Sequence, residues 1–221
     1  MKTIFRNIIL LFITGLIVSS CNISRHIAED EYLLKKNKIE IQAEKHKIPR
    51  DELNDLFEQK PNRSFLGIAR LSMWIWLSTD HPDRTKTAAW FNRRMGEPPV
   101  IFETRKANDS ETRIKSYLHN IGYFDAKVDH EKEFNRRKNK VNVIYKIKPK
   151  TPYLINNITY NIPDKKIRYY VLKNREESLI DTAQAYNAYK LEDERDRITK
   201  MLKNNGFFYF NQEYIYYEVD T

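Results

Sequence analysis

The residue types that carry most protein chemistry are thinly spread along this chain. Five histidines, His26, His46, His81, His119 and His130, stand far apart, and Cys21 is the sole cysteine. The densest polar cluster is Asp80-His81-Pro82-Asp83, which has the side chains for a metal or for acid–base work. Pro82 makes it a turn, and no further ligand group follows at helical spacing, so it reads as a loop. No glycine-rich phosphate loop and no nucleophile elbow occurs in the sequence. The expectation is a protein that is not an enzyme, with no catalytic residues, no metal site and no cofactor.

Cys21 is different because of what precedes it. Lys2 and Arg6 make a basic start, an apolar run covers residues 8–18, and Val18-Ser19-Ser20-Cys21 follows directly. The outline is that of a secretory signal. The junction resembles the lipobox of bacterial lipoproteins, with Val18 where Leu is more usual. That resemblance implies that residues 1–20 are removed as a signal peptide, that Cys21 is acylated, and that residues 21–31 are a lipidated tether. Asn22, in place of the aspartate of the inner-membrane retention cue, implies the outer membrane, on its periplasmic side. An exported chain with one acylated cysteine has no thiol left to form a disulfide.

The elements that organise the rest are two copies of one pattern. Residues 113–124 read Arg-Ile-Lys-Ser-Tyr-Leu-His-Asn-Ile-Gly-Tyr-Phe, and residues 197–208 read Arg-Ile-Thr-Lys-Met-Leu-Lys-Asn-Asn-Gly-Phe-Phe. In both, apolar residues recur three and four apart (Ile114, Tyr117, Leu118, Ile121; Ile198, Met201, Leu202), the stripe of an amphipathic helix. Each stripe stops at a glycine, Gly122 or Gly206, where the chain takes a left-handed turn before an aromatic pair, Tyr123-Phe124 or Phe207-Phe208.

Around these helices the pattern predicts a mixed fold. Alternation over residues 32–42 predicts a strand, and a helix follows from Pro49 to Phe57. The apolar stretch 65–77 is too short to cross a bilayer. Its Trp74 and Trp76 read as core or inter-domain packing, with an interfacial patch against lipid or a partner as the alternative. A helix over residues 85–95 leads to a proline-stiffened connection at 96–102. Asn108 with Glu111 predicts a capping box at the start of the first repeat helix. A hairpin follows, with Ala126, Val128 and His130 on one arm, a basic tip at 135–140, and Val141, Val143, Tyr145 and Ile147 on the other. Pro149 and Pro152 mark a domain boundary. A strand over 153–161, a helix over 164–173 and an extended aromatic stretch over 207–219 surround the second repeat helix.

The order strand, helix, helix, strand, strand, with Gly-aromatic-aromatic after the second helix, resembles the POTRA domain of BamA- and TamA-type outer-membrane assembly proteins. The residues that match that motif are Leu118, Gly122, Tyr123 and Phe124 in the first copy and Leu202, Gly206, Phe207 and Phe208 in the second. The lipoprotein start, Lys60-Pro61-Asn62, Gly96-Glu97-Pro98-Pro99-Val100 and Glu213-Tyr214-Ile215 look like a lipid-anchored branch of the TamA-like proteins. The resemblance implies an α+β fold of tandem β-α-α-β-β units. The first would cover residues 32–149 with a helical insertion over 65–94. The second would cover 150–221 and lack its last strand, which makes a fragment of a longer protein the expectation. It further implies a periplasmic scaffold that binds unfolded outer-membrane client proteins by strand addition, along an edge holding Ala126, Val128, His130 and Glu133. A C-terminal membrane barrel is expected of such proteins and is absent from this sequence. The alternative reading is a stand-alone outer-membrane lipoprotein that acts as an adaptor between periplasmic partners.

With Lys2 and Arg6 removed, 37 basic residues face 30 acidic ones, a net charge of +7. Export makes nucleic acid an unsuitable partner for it; lipid head groups and acidic clients remain. If the third strand of the second unit is central, residues 151–221 expressed alone are expected to unfold without a cooperative transition, as thermal melting followed by circular dichroism would show.

Overall fold

The computed structural model describes residues 28, 30–42, 48–64, 70–80 and 85–220. The signal, Cys21 and residues 81–83 of the Asp-His-Pro-Asp cluster lie outside them. The described residues gather into two compact units, one drawn from residues 1–40, 48–112 and 129–146, the other from 41–47, 113–128 and 147–221.

Three strands pair: β1 (Leu33–Ile41), β2 (Lys127–Asn135) and β3 (Lys140–Lys148) form one sheet in the order β1-β3-β2. β2 and β3 are a hairpin closed by a 3₁₀ turn over Arg136–Lys138 and by Asn139 at φ 44°, a left-handed value that asparagine tolerates. β1 runs parallel to β3. At one end the Leu33 N–H donates to the Asn139 carbonyl at 2.9 Å, and at the other the Gln42 N–H donates to that of Ile147 at 2.8 Å. A parallel neighbour needs a long crossover, and the helices between β1 and β2 supply it. Central β3 is the most deeply buried strand, with Val141, Val143, Tyr145 and Ile147 all inaccessible.

The helices of that crossover are α1 (Arg50–Asp55), α2 (Leu71–Thr79), α3 (Lys86–Met95) and α4 (Thr104–Asn120). α4 begins a turn before the Asn108 start predicted from the sequence. The Phe102 N–H donates to the Tyr32 carbonyl at 2.8 Å, and the Ala107 N–H already donates to that of Glu103 at 3.2 Å. Pairing with the entry to β1 therefore fixes the chain just ahead of Thr104. Ala107, buried with Ile114, Tyr117 and Leu118, extends the apolar stripe backwards; Asn108 sits inside the helix.

Between α1 and α4, α2 and α3 pack on each other. Asn92 Nδ2 donates to the Trp76 carbonyl and to Thr79 Oγ1. Met73 of α2 is buried against Leu33, flanked by Leu77 and Ile101. Of the two tryptophans read as core, Trp76 is half-buried and Trp74 is exposed.

The second copy carries α5 (Lys165–Lys173), capped by Asp164, and α6 (Ala188–Asn204). α4 and α6 are both 17 residues long, and the sequence repeat extends beyond them. In the first copy Leu34 N–H donates to Val100 and Phe102 N–H to Tyr32; in the second, Ile155 donates to Gln184 and Tyr186 to Tyr153. Each helix ends the same way. Tyr123 N–H reaches back to the Leu118 carbonyl at 2.9 Å, Phe207 N–H to that of Leu202 at 3.1 Å, with Gly122 at φ 91° and Gly206 at φ 94°. This is a Schellman closure, which needs the left-handed residue in the middle.

The strands predicted over 153–161 and 207–219 do not form. The first makes only an isolated bridge, Leu154 to Ala185, and the second is interrupted by a 3₁₀ turn over Gln212–Tyr214. Neither has a neighbour of the kind that β3 provides to β1 and β2. A strand exists only where its main-chain groups are paired on at least one side.

The two glycines differ in surroundings. A Cβ at Gly122 would lie 2.7 Å from the Tyr186 carbonyl oxygen, whereas none at Gly206 would meet anything within 4 Å. Gly206→Ala is expected to cost about 1–2 kcal/mol for the left-handed backbone alone. Gly122→Ala is expected to cost more, because main-chain atoms must also move. Urea unfolding midpoints of the two variants check the order.

Candidate functional site

The described residues present two surfaces at which main chain is available. One is the outer edge of β2. The opposite edge of the sheet is partly covered, since residues 32–34, at the entry to β1, pair with residues 100–102, while β2 stands last in the strand order.

The side chains of β2 alternate in role. Val128 is buried, and His130 is turned toward α4, its Nδ1 2.6 Å from Glu111 Oε2. Beside it Tyr145 stacks on Phe57 at 4.8 Å, and burial pushes its phenol up, Ser110 opposing and the Glu111 charge assisting. On the other face Glu131 pairs with Lys146 at 2.6 Å, and Glu133 meets Asn142 at 3.2 Å and Lys38 at 3.6 Å. These pairs tie β2 to β3 and, through Lys38, to β1. Of the residues placed on this edge from the sequence, Val128, His130 and Glu133 lie on β2, and buried Ala126 immediately precedes it.

The second surface is a groove of about 1380 Å³ in the second unit, between residues 153–164 and 206–220. Its floor includes Val171 of α5 and Ile198 of α6, members of an apolar cluster with Leu202 that Tyr160, Ile162, Phe207 and Phe210 pack against. Among the described residues no main-chain hydrogen bond involves residues 156–161 or 216–220. Two segments with unpaired amides and carbonyls thus face an apolar floor, the geometry that accepts an extended chain.

One ionised pair holds the groove's floor. Glu194 is 1% exposed and accepts from Arg197 at 2.8 and 2.7 Å, from the Leu179 N–H at 3.0 Å and from Ser178 Oγ at 3.0 Å. Burial alone would raise its carboxyl, but the Arg197 and Leu179 donors outweigh it and hold Glu194 below the ordinary carboxylate range. Glu194 corresponds in the repeat to Ser110. Ser110 is likewise buried and accepts the Glu58 N–H at 2.9 Å. In both copies one polar side chain of the long helix satisfies the main chain just beyond the first helix of that copy, α1 or α5. Sequence reasoning passed over both residues, because serine and glutamate look like ordinary surface positions. The alignment of the repeats could have exposed them. Tyr217 Oη, which lines the groove, and Arg195 Nε and Thr199 Oγ1 are buried without a hydrogen-bond partner among the described residues. The Tyr217 phenol is pushed up strongly, first by burial and then by the Glu194 charge.

The motif residues of the two copies do not converge on one site. Leu118 and Leu202 are fully buried, and the glycines shape turns. Phe124 packs on Tyr153 and Tyr186, both at 5.1 Å, inside the second unit, while Phe208 is 76% exposed. Among the described residues no cluster of three metal-ligating side chains occurs. No helix among them is long and apolar enough to cross a membrane.

A sheet with its third strand in the centre, crossed by helices and ending in a free second strand, defines an α+β module of the strand-helix-helix-strand-strand class. A family model described as "POTRA: Surface antigen variable number repeat" matches residues 35–150, over half of the 221-residue chain, and the chain belongs to this family. Among solved structures it is similar to the crystal structure of POTRA domains 3 to 5 of Haemophilus influenzae BamA, with 16% identity and a TM-score of 0.31 over 80% of this chain. The chain spans about half (51%) of the length of that structure. No curated protein matches.

Glu194→Ala is expected to destabilise the second unit by about 3–5 kcal/mol, since Arg197 is left without its buried partner. A carboxyl whose folded pKa is depressed stabilises above the unfolded value, about 4.3, and loses that contribution as pH falls through the lower folded value. Wild-type stability should therefore fall more steeply than that of Glu194→Ala on acidification below about pH 4, as urea titrations across that range would show.

Proposed function

We propose that this chain is the periplasmic part of a lipid-anchored, TamA-like outer-membrane assembly factor, a non-enzymatic scaffold that receives client chains in extended form. The observation that carries this reading is the position of β2 at the end of the strand order. Its outward main-chain groups give affinity without demanding a particular client sequence, the recognition mode of strand addition. Ala126, Val128, His130 and Glu133 mark that edge, and the Glu111 contact to His130 together with the Lys146 and Lys38 pairs keeps it straight. The open groove of the second unit offers the same main-chain chemistry over an apolar floor. Membership of the POTRA family supports the periplasmic setting, and the Val18-Ser19-Ser20-Cys21 junction supports acylation at Cys21 and placement on the periplasmic side of the outer membrane. The tandem division at residues 32–149 and 150–221 belongs to the same proposal.

The edge reading is tested by a photo-crosslinking side chain placed at Asp129 or Glu131 on β2, with Lys115, exposed on α4, as the control. Unfolded outer-membrane proteins are expected to crosslink from the β2 positions and not from Lys115. Adducts only with folded periplasmic proteins would favour the adaptor instead. Equal yields from all three positions would remove the edge from the argument.

A further inference from the structure

The helical insertion presents a surface that the scaffold reading does not use. α3 turns Ala88, Ala89 and Asn92 inward, and leaves Trp90, Phe91 and Met95 at 55%, 48% and 51% exposure. Trp90 and Phe91 meet edge to face at 5.0 Å and cover little of each other. On α2, Leu71 and Trp74 are 46% and 47% exposed. Hydrophobic side chains of this size are rarely left in water at such density without something to cover them.

Charge narrows what that cover is. α3 contains no acidic residue, starts at Lys86 and carries Arg93 and Arg94 in its last turn, and α2 has no ionisable side chain. Aromatic rings with long cationic side chains around them are the composition of a helix lying in the head-group layer. The rings sit at the interface, and arginine stems lie along the apolar layer while their guanidiniums reach anionic groups.

Position points the same way. The pair of helices is fastened to the start of β1: Met73 is buried against Leu33, and Arg70 donates to the carbonyls of Leu34 and Lys35 at 3.3 and 2.6 Å. Leu33 is twelve residues from Cys21, a span of at most about 40 Å of extended chain. An acyl group at Cys21 would keep this surface close to a bilayer at high effective concentration.

We infer that the α2–α3 pair is a membrane-docking element that lies on an anionic phospholipid surface through Trp90, Phe91 and Met95, with Arg93 and Arg94 on the head groups. The inference rests on the proposed anchor at Cys21 only for the local concentration it supplies.

The test uses the full acylated chain with vesicles of phosphatidylcholine alone or mixed with phosphatidylglycerol, both carrying bromine on the acyl chains. Flotation reports the anchor and tryptophan quenching reports docking, first in the wild type and then with Trp74→Phe and Trp76→Phe so that Trp90 is read. Quenching is expected in the anionic vesicles and several-fold less in the neutral ones. Arg93→Glu with Arg94→Glu, both at exposed positions, should weaken docking by at least about tenfold while flotation through the acyl group persists. Flotation in both vesicles without quenching in either would overturn the docking element and leave the anchor standing. Quenching in anionic vesicles with no flotation in neutral ones would sustain docking and refute the anchor. Quenching that ignores the Arg93 and Arg94 reversal would overturn the assignment of the surface to anionic lipid.

Discussion

A strand in the middle of a sheet has to satisfy main-chain groups on both of its sides, and the rest of this structure depends on where that condition is met. β3 meets it. With β1 parallel on one side and β2 antiparallel on the other, every alternate side chain from Val141 to Ile147 is buried. The neighbours become strands because β3 lies between them. In the second copy, residues 153–162 and 207–219 hold the apolar and aromatic side chains of strands but have no such neighbour, and they remain extended segments around a groove. The contrast between two copies of one pattern isolates the effect: local propensity is comparable, and pairing decides.

The long helices are less dependent on that condition. α4 and α6 keep the same length, the same glycine closure and the same apolar stripe whether or not a sheet is complete beside them. Helical hydrogen bonds are local, so the helix forms whether or not a paired strand lies beside it. Each copy also places one buried polar side chain, Ser110 or Glu194, where it accepts a main-chain N–H just beyond that copy's first helix. In the second copy that group is a carboxylate, and Arg197 neutralises it within the same helix.

The margins of the module leave main chain unpaired, and the proposed strand addition rests on that. The β2 edge and the groove both present unsatisfied main chain, and strand addition needs nothing more specific. The α2–α3 pair stands outside this logic. It adds apolar and cationic surface beside the entry to β1.

Much of the fold was legible in the residues themselves. The glycines at 122 and 206, the stripes from Ile114 and Ile198, and the alternation from Val141 to Ile147 are local signals, since helix and strand periods are written into side-chain spacing. The helix does not start at Asn108, because its boundary is set by Phe102 pairing with Tyr32, seventy residues away in sequence and so invisible to a local cap rule. The site was legible only in part. His130 and Glu133 could be placed on an edge from the strand order the resemblance implied, but their partners Glu111, Asn142 and Lys38 lie on other elements. The sequence by itself determined which segments are helical and which could be strands, because those preferences are local. Only the tertiary structure decided which of them pair, that a buried carboxylate at Glu194 is tolerated, and that Trp74 faces outward while Met73 fills the core, because each depends on groups brought together from distant parts of the chain.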